Sequence, residues 1–491
     1  GFRDKMPDNR TELNTDQKIA KLLVSAYADV SPNELFELYS DNSDDSGPTY
    51  GYYKLSEQEC YHWQDTKEEY QDTPNSLWGG YYSAIAAANM ALNAIEEKGN
   101  PASLDPQRGE ALVCRAYCHF MLANIFCNAY DTHASQSLGV PYMEEVETTV
   151  SPRYERGTLE EVYRKVERDL PEGIDLISDD SYSVPKYHFT RKAAYAFAAR
   201  FYLYYMKPDF SNCDRVIDFA TRVLGTNPAD LLRNWEALGN LSVNGNVQAD
   251  AYIASSNEAN LLISSTVSNW GAIGSDYLIG PRYFHNQTLA TSETCLSSGL
   301  WGSSDYFYLK PFSTNGFVAS ILRKSGLYEG TYLYYMPVLF STDETLLCRA
   351  EAYALKKMYA QSAADITSWQ RAYTRNKSVL TPEQINTYYD RMSFYTPFTQ
   401  QTPKKKLAPD FMIEEGMQEN FIHCILHIRR ITTLHEGMRW PDIKRYGILI
   451  YRRDMANQRV TDEMPPNDLR YAIQIPRSVI VAGIQPNPRR N

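Results

Sequence analysis

The stretch that most limits the possible folds is Gly109 to Asn128, GEALVCRAYCHFMLANIFCN. Leu112, Ala116, Phe120 and Ala123 recur at helical spacing. Val113, Tyr117 and Met121 widen that apolar face well past a narrow stripe. Polar residues within it are few: Glu110, Arg115, His119 and Asn124. Ala111, Cys114, Ala116, Cys118 and Ala123 alternate with larger side chains, which lets neighbouring helices approach closely. The pattern predicts a helix buried on most sides by other helices.

Capping signals mark the helices that could surround it. Ser31-Pro32-Asn33-Glu34 reads as a Ser cap, Pro at the first helical position and Glu at the third. A helix is expected before it, over about 16–29. Thr158-Leu159-Glu160-Glu161 is a capping box, and so is Thr381-Pro382-Glu383-Gln384. Thr190 and Ser341 head two further Ala-rich helices, and other helices are expected over about 75–97, 213–224 and 421–434. Asn89 is an amide inside an apolar stretch, so burial would oblige it to find hydrogen-bond partners. A short strand is expected over 470–476.

Capped helices in antiparallel-looking succession, with Ala, Tyr and Leu interleaved, point to stacked helix pairs. The expected fold is mainly α: a tetratricopeptide-like helical-repeat scaffold with a large loop-rich elaboration and a few short strands. Residues 1–491 form one unit in this reading, with scaffold over 16–224 and 341–460. Residues 225–340 form a loop-rich, ligand-facing insertion, and 461–491 a closing segment. The segment His435 to Gly447 sets charges beside Trp440 and Ile443, which suggests a partly buried lattice of ion pairs.

Composition narrows the function. The formal net charge is -11, from 49 basic and 60 acidic residues, so there is no basic excess for a nucleic-acid backbone. No run of 18 apolar residues marks a transmembrane helix. The 8 Cys include no C-x-x-C, and mostly free thiols are expected. Cys114, Cys118 and His119 sit in the apolar helix, where packing is the better account than a metal. The 38 Tyr and 7 Trp stand out, because a flat ring with a polar edge serves wet interfaces as well as cores.

Two ring-rich loops, about 40–74 and 225–340, therefore become the candidate binding surfaces. Such a surface would offer rings to the apolar faces of a ligand and amides or charges to its polar groups. The candidate ligand contacts are Trp63, Asp65 and Asn75 in the first loop, and Trp270, Tyr283, Trp301 and Tyr306 in the second. The competing account is that each ring seals its loop against the helices. Trp78, Trp369 and Trp440, in helical or signature contexts, are expected to be packing residues. No stretch isolates a carboxylate pair for hydrolysis, and no H-E-x-x-H, Walker or dinucleotide loop appears, so no catalytic residue, metal or cofactor is expected.

Several blocks, in order, carry a family resemblance. Trp78, Tyr82, Ile85 and Asn89 fit an early W-Y-I-N helix, and Gly109-Glu110-Ala111, Arg115-Ala116-Tyr117 and Leu122 an Ala-rich one. Gly139-Val140-Pro141 fits its exit. Thr190, Lys192, Ala193, Ala194, Ala198, Ala199, Arg200 and Tyr202 fit a third helix. Glu436-Gly437, Arg439-Trp440, Asp442 and Lys444-Arg445 fit a late signature, and Ile475-Pro476 and Asn487-Pro488 a closing segment. Together the chain resembles the SusD/RagB family of outer-membrane nutrient-binding lipoproteins of Bacteroidota. It departs from the pattern at Thr432 and Thr433, at Cys114 and Cys118, and in lacking a final Gly-Tyr.

The resemblance implies a surface-exposed outer-membrane lipoprotein that captures an oligosaccharide or polysaccharide and hands it to a TonB-dependent SusC-like transporter. It also implies an N-terminal lipid anchor on a Cys missing from this chain, Gly1-Phe2-Arg3-Asp4-Lys5 resembling the tether after it. Peptide capture, or a lid for the transporter with weak ligand affinity, are the alternative roles.

Overall fold

A computed structural model describes residues 13–49, 53–148, 154–242, 247–272, 282–309, 327–328 and 334–490. Tyr50, Tyr52 and Tyr277, three rings of the expected binding loops, lie outside the described residues. The expected repeat scaffold is present. Helices α1 (Asp16–Leu22), α2 (Asn33–Tyr39), α3 (Leu55–Tyr61), α4 (Pro74–Glu97), α5 (Asp105–Phe126), α6 (Leu159–Leu176), α7 (Arg191–Tyr204) and α8 (Ser211–Leu224) come first. Shorter pieces follow: α9 (Trp235–Gly239), α10 (Val247–Tyr252) and α11 (Gln287–Leu289). The later scaffold is α12 (Thr342–Leu355), α13 (Tyr359–Tyr373), α14 (Pro382–Arg391), α15 (Met417–Thr432) and α16 (Arg439–Tyr446). Successive helices stack: α4 on α5, α5 on α6, α7 on α8, α8 on α12, and α12 on α13 and α15.

Four of the expected caps form, but Ser31 does not cap α2, whose N-cap is Pro32 with no side-chain bond. Thr158 and Glu161 exchange side-chain-to-backbone bonds, as do Thr381 and Gln384. Thr190 Oγ1 accepts from Ala193 N, and Ser341 Oγ from Glu344 N. Each satisfies donors that a helix start leaves unpaired.

Helix α5 is buried along most of its length, as its pattern predicts. Its tightest contact is with α6. A Cβ on Gly109 would stand 2.7 Å from the Gly173 carbonyl oxygen, and one on Gly173 would stand 2.9 Å from that of Gly109. The two backbones meet where neither residue has a side chain. Asn89 is buried and satisfied: it donates to Met143 O (2.9 Å) and accepts from Arg115 (3.1 Å). His119 has both ring nitrogens engaged, with Arg115 O (2.8 Å) and Met143 N (3.0 Å), so it is a packing residue. All eight cysteines are free and buried.

Two expectations need correction, and a third region is more ordered than its composition alone conveys. The 40–74 region is not one long loop, because α3 lies in it and Ser40 to Asp44 are buried. Residues 470–476 are not a strand. The C-terminal hairpin lies earlier, Ile450–Asp454 against Arg459–Met464, and Leu469–Tyr471 is a single 3-10 turn. The 225–340 region is less open than loop composition suggests. Asn260–Ile263 pairs antiparallel with Val338–Ser341, all four residues of the first strand are buried, and the pair leads directly into α12.

The charged segment at 435–447 becomes the centre of a buried lattice. Arg429 bridges Asp442 (3.0 Å) and Glu344 (3.4 Å). Glu344 also takes Arg200 (3.2 Å). Arg445 joins Asp442 (2.7 Å) to Glu351 (2.8 Å). A second knot centres on Asp41, which takes Arg439 and Lys405 at 2.8 and 2.7 Å, while Arg430 and Lys405 reach Glu293 at 3.0 and 2.7 Å. Burial alone would raise Asp41 and Asp442. The guanidinium groups around them hold both below the usual carboxylate range. Lys444 Nζ closes the end of α5, donating to Asn124 O (2.7 Å) and Cys127 O (2.9 Å). The lattice thus joins the first helices to the last ones.

Candidate functional site

The aromatic candidates are mostly sealed. Trp63 is 4% exposed, donates from Nε1 to Tyr39 O (2.8 Å) and packs under the Arg452 guanidinium at 4.3 Å. Trp270 is 3% exposed and donates to His435 O (2.7 Å). Tyr283, also buried, stacks on Tyr61 with ring centroids 4.6 Å apart. Trp301 is 1% exposed, between Trp369 (5.5 Å) and Phe307 (5.6 Å). None of these four offers a free ring face to a ligand in this conformation. The reason is the same each time: a loop ring recovers more by covering the helices than by facing water. Trp78, Trp369 and Trp440 are buried too, as expected.

The remaining candidates are accessible but scattered. Tyr306 is 43% exposed, and its ring lies against Gly302. Asp65 is exposed and paired with Arg489 (3.1 Å). Asn75 is half-buried and accepts a long bond from Ser478 Oγ (3.5 Å). Nothing brings Asp65 or Asn75 together with Tyr306.

A concave surface does exist beside Trp301. An open groove of about 970 Å³ runs between residues 291–300 and α14, with Gln401, Thr402 and Pro403 also lining it. Leu296, Leu300, Tyr388 and Met392 give it apolar area. Thr291, Ser292, Ser298, Gln384, Thr387 and Arg391 supply hydroxyl, amide and guanidinium groups. Tyr388 is half-buried and fixed, because its hydroxyl donates to Ser298 O (2.8 Å). Ser292 Oγ reaches Gln401 Oε1 (3.3 Å) across the groove. Glu383 is the one carboxylate among the lining residues, so the groove does not present the acid pair of glycoside hydrolysis.

Trp301 supports this groove from behind. Gly299 and Gly302 exchange backbone bonds of 2.6 and 3.0 Å around it, and its carbonyl accepts from Asn376 Nδ2 (2.9 Å). A Cβ on Gly299 would meet the indole at 2.5 Å. The sequence reading singled out Trp301 and not the residues that line the groove. Gln384, Thr387 and Arg391 read as the solvated face of an amphipathic helix whose inner face is Ile385 and Tyr389. Periodicity carries no sign that a solvated face borders a groove.

A second cavity, of about 60 Å³, lies inside the lattice between Arg200, Arg233, Asp343 and Glu344. It has room for a few waters. Its charged groups are already bonded, as in Arg200 to Glu344, Arg233 to the Asn260 side-chain oxygen (2.6 Å) and Asp343 to the Trp235 indole N–H (2.8 Å).

The fold is a helical-repeat scaffold with an open groove on its surface. A family model described as SusD-like, starch-binding associating with outer membrane, matches residues 1–203. No curated protein matches the chain. A SusD superfamily protein from Bacteroides fragilis is similar to it with TM-score 0.64 and 16% identity, over 96% of this chain and 98% of that one. A SusD-like carbohydrate binding protein from Bacteroides vulgatus gives 0.63 and 14%, over 95% and 96%. A SusD superfamily protein from Bacteroides thetaiotaomicron gives 0.59 and 17%, over 97% and 100%. The sequence likeness is thus confined to residues 1–203, and the likeness of fold extends along nearly the whole chain.

Proposed function

We propose that this protein captures an oligosaccharide or polysaccharide at the cell surface and delivers it to a TonB-dependent SusC-like transporter. The observation that carries this reading is the match of residues 1–203 to a family described by starch binding at the outer membrane. The end-to-end likeness to a SusD-like carbohydrate binding protein supports it. Among the described residues no helix is long and apolar enough to cross a membrane, so attachment through an N-terminal lipid anchor suits the reading. The role is binding and not catalysis.

The groove between residues 291–300 and α14 is the proposed glycan contact. Tyr388 supplies a ring edge and area. Thr387, Gln384 and Arg391 are placed to meet hydroxyls. Tyr306, outside the groove lining, stays a separate candidate. Trp63, Trp270, Tyr283 and Trp301 act here through packing, and any ligand contact by them would require their loops to open.

The test is a glycan array followed by calorimetry on the best ligand, with co-purification of the transporter as a separate readout. Saturable glycan binding that Tyr388→Ala weakens is expected. Binding to peptides in place of glycans, or transporter association with no measurable glycan affinity, would overturn the ligand assignment.

A further inference from the structure

The first helices hold a cluster of buried acids that the lattice does not neutralise. Glu34, in the first turn of α2, is 4% exposed, and Asp72, at the end of the 63–72 loop, is 7% exposed. Their carboxyl groups contact each other. Asp72 is already committed on its other side. It accepts from Ser268 Oγ and from Asn269 N (2.8 Å). Glu34 Oε2 is buried without any hydrogen-bond donor when both groups are ionised. Two carboxylates in contact in a dry site repel, and each pays a desolvation cost. One proton between them removes the repulsion and supplies the missing donor.

The neighbours do not provide another solution. From α3 and the residue before it come Glu57 and Lys54, and Glu57 is itself buried, accepting from Lys54 N (3.0 Å). The loop contributes Glu68, which accepts from Ser56 N (3.1 Å). Arg439 of α16 is bonded to Asp41 and turned away. Among the described residues, Lys54 is thus the cation that faces all three acids, Glu34, Asp72 and Glu57.

We propose that Glu34 and Asp72 share one proton, forming a clasp that pins the 63–72 loop and the Ser268–Trp270 segment onto α2 and loosens as pH rises. The loop is built to need a clasp. Both of its ends are non-glycine residues in the left-handed region, Trp63 at φ 55° and Asp72 at φ 68°. Between them the backbone carries mostly exposed side chains, Tyr70 with 60% of its surface open. Asp72 is the point where this loop meets the second ring-rich region, through Ser268 and Asn269.

The direction with pH follows from proton counting. Burial, then the facing acids, raise Glu34 well above the ordinary carboxylate range. Burial also raises Asp72, partly offset by its bonds from Ser268 and Asn269. The clasped state therefore holds a proton that the open state releases, and raising the pH favours opening.

Hydrogen exchange of the 63–72 amides tests this on the intact chain. Protection factors in the wild type should fall about tenfold per pH unit once the clasp titrates. Glu34→Gln carries a permanent donor toward Asp72, so its loop should stay protected and lose that pH dependence. Asp72→Asn supplies a donor from the other side and should behave alike. In the wild type, a protonated-carboxyl infrared band should vanish in step with the loop opening. Loop protection that is flat with pH, or a Glu34→Gln protein that opens as the wild type does or is loose at every pH, would overturn the clasp. So would tightening of the loop by added calcium at constant pH with no infrared band, which would make the site a cation site.

Discussion

The lattice around Arg429 and the groove in front of Trp301 use polar residues in opposite ways. In the lattice, Arg429, Arg430, Asp442 and Glu344 are almost fully buried, and each charge has a partner on another element. In the groove, Thr387, Gln384 and Arg391 face solvent. The first arrangement fixes which helices meet. The second leaves donors and acceptors for something that arrives later. Removing a residue from the lattice should cost stability, and removing one from the groove should cost affinity.

The sharpest way to break the comparison is Arg429→Ala. It leaves Asp442 with Arg445 and Glu344 with Arg200, each one guanidinium short, beside a cavity in a buried site. Loss of one partner from a buried pair costs about 3–5 kcal/mol, read as a lowered midpoint in urea unfolding. A loss below about 1 kcal/mol would place Arg429 with exposed ion pairs and undo the contrast.

Gly109→Ala probes the scaffold without touching charge. The added methyl would meet backbone, Gly173 O at 2.7 Å and Ile177 N at 2.8 Å, which cannot swing aside as a side chain could. Separating α5 from α6 should cost about 1–3 kcal/mol. Ala at Gly225, with open space but φ +66°, should cost less, through backbone strain alone.

How far each region could be read from sequence follows from the same contrast. The scaffold was legible because burial leaves a period: α5, α7 and α12 show their small and large residues at helical spacing, and Thr158, Thr190, Ser341 and Thr381 mark starts. The lattice was legible as charge beside Trp440, although its partners Asp41 and Glu293 lie hundreds or scores of residues away and no local pattern joins them. The site was less legible. Ring content selected Trp63, Trp270, Tyr283 and Trp301, which the structure seals, because composition does not say which face of a ring is covered. Tyr388, a half-buried ring on a helix, gave no such signal.

Acid should weaken the scaffold through its buried histidines. Burial lowers His119, His285 and His427 to about 3 each. The unfolded chain binds protons at these groups near their ordinary value while the folded one does not, so stability falls as pH drops from about 6.5 toward 3. Each such group contributes up to about 1.4 kcal/mol per pH unit in that window. His427 offers the control, since it sits between Tyr389 Oη (2.9 Å) and Thr294 O (3.0 Å). His427→Gln should flatten the urea midpoint against pH by about one proton. An unchanged slope would mean that His427 protonates in the folded state.

The smallest effect on stability belongs to the groove, and it is the one that tests function. Tyr388→Ala removes a half-buried ring and one hydrogen bond to Ser298 O, so unfolding should change by about 1 kcal/mol. Trp301→Ala, directly behind it, removes a fully buried indole and should cost about 3–5 kcal/mol. If the groove holds the glycan, Tyr388→Ala should weaken binding about tenfold, near 1.4 kcal/mol, with its circular dichroism intact. Arg391→Ala, exposed and stability-neutral, should weaken it less. Equal affinities for the wild type, Tyr388→Ala and Arg391→Ala would move the contact away from α14 and toward the exposed Tyr306.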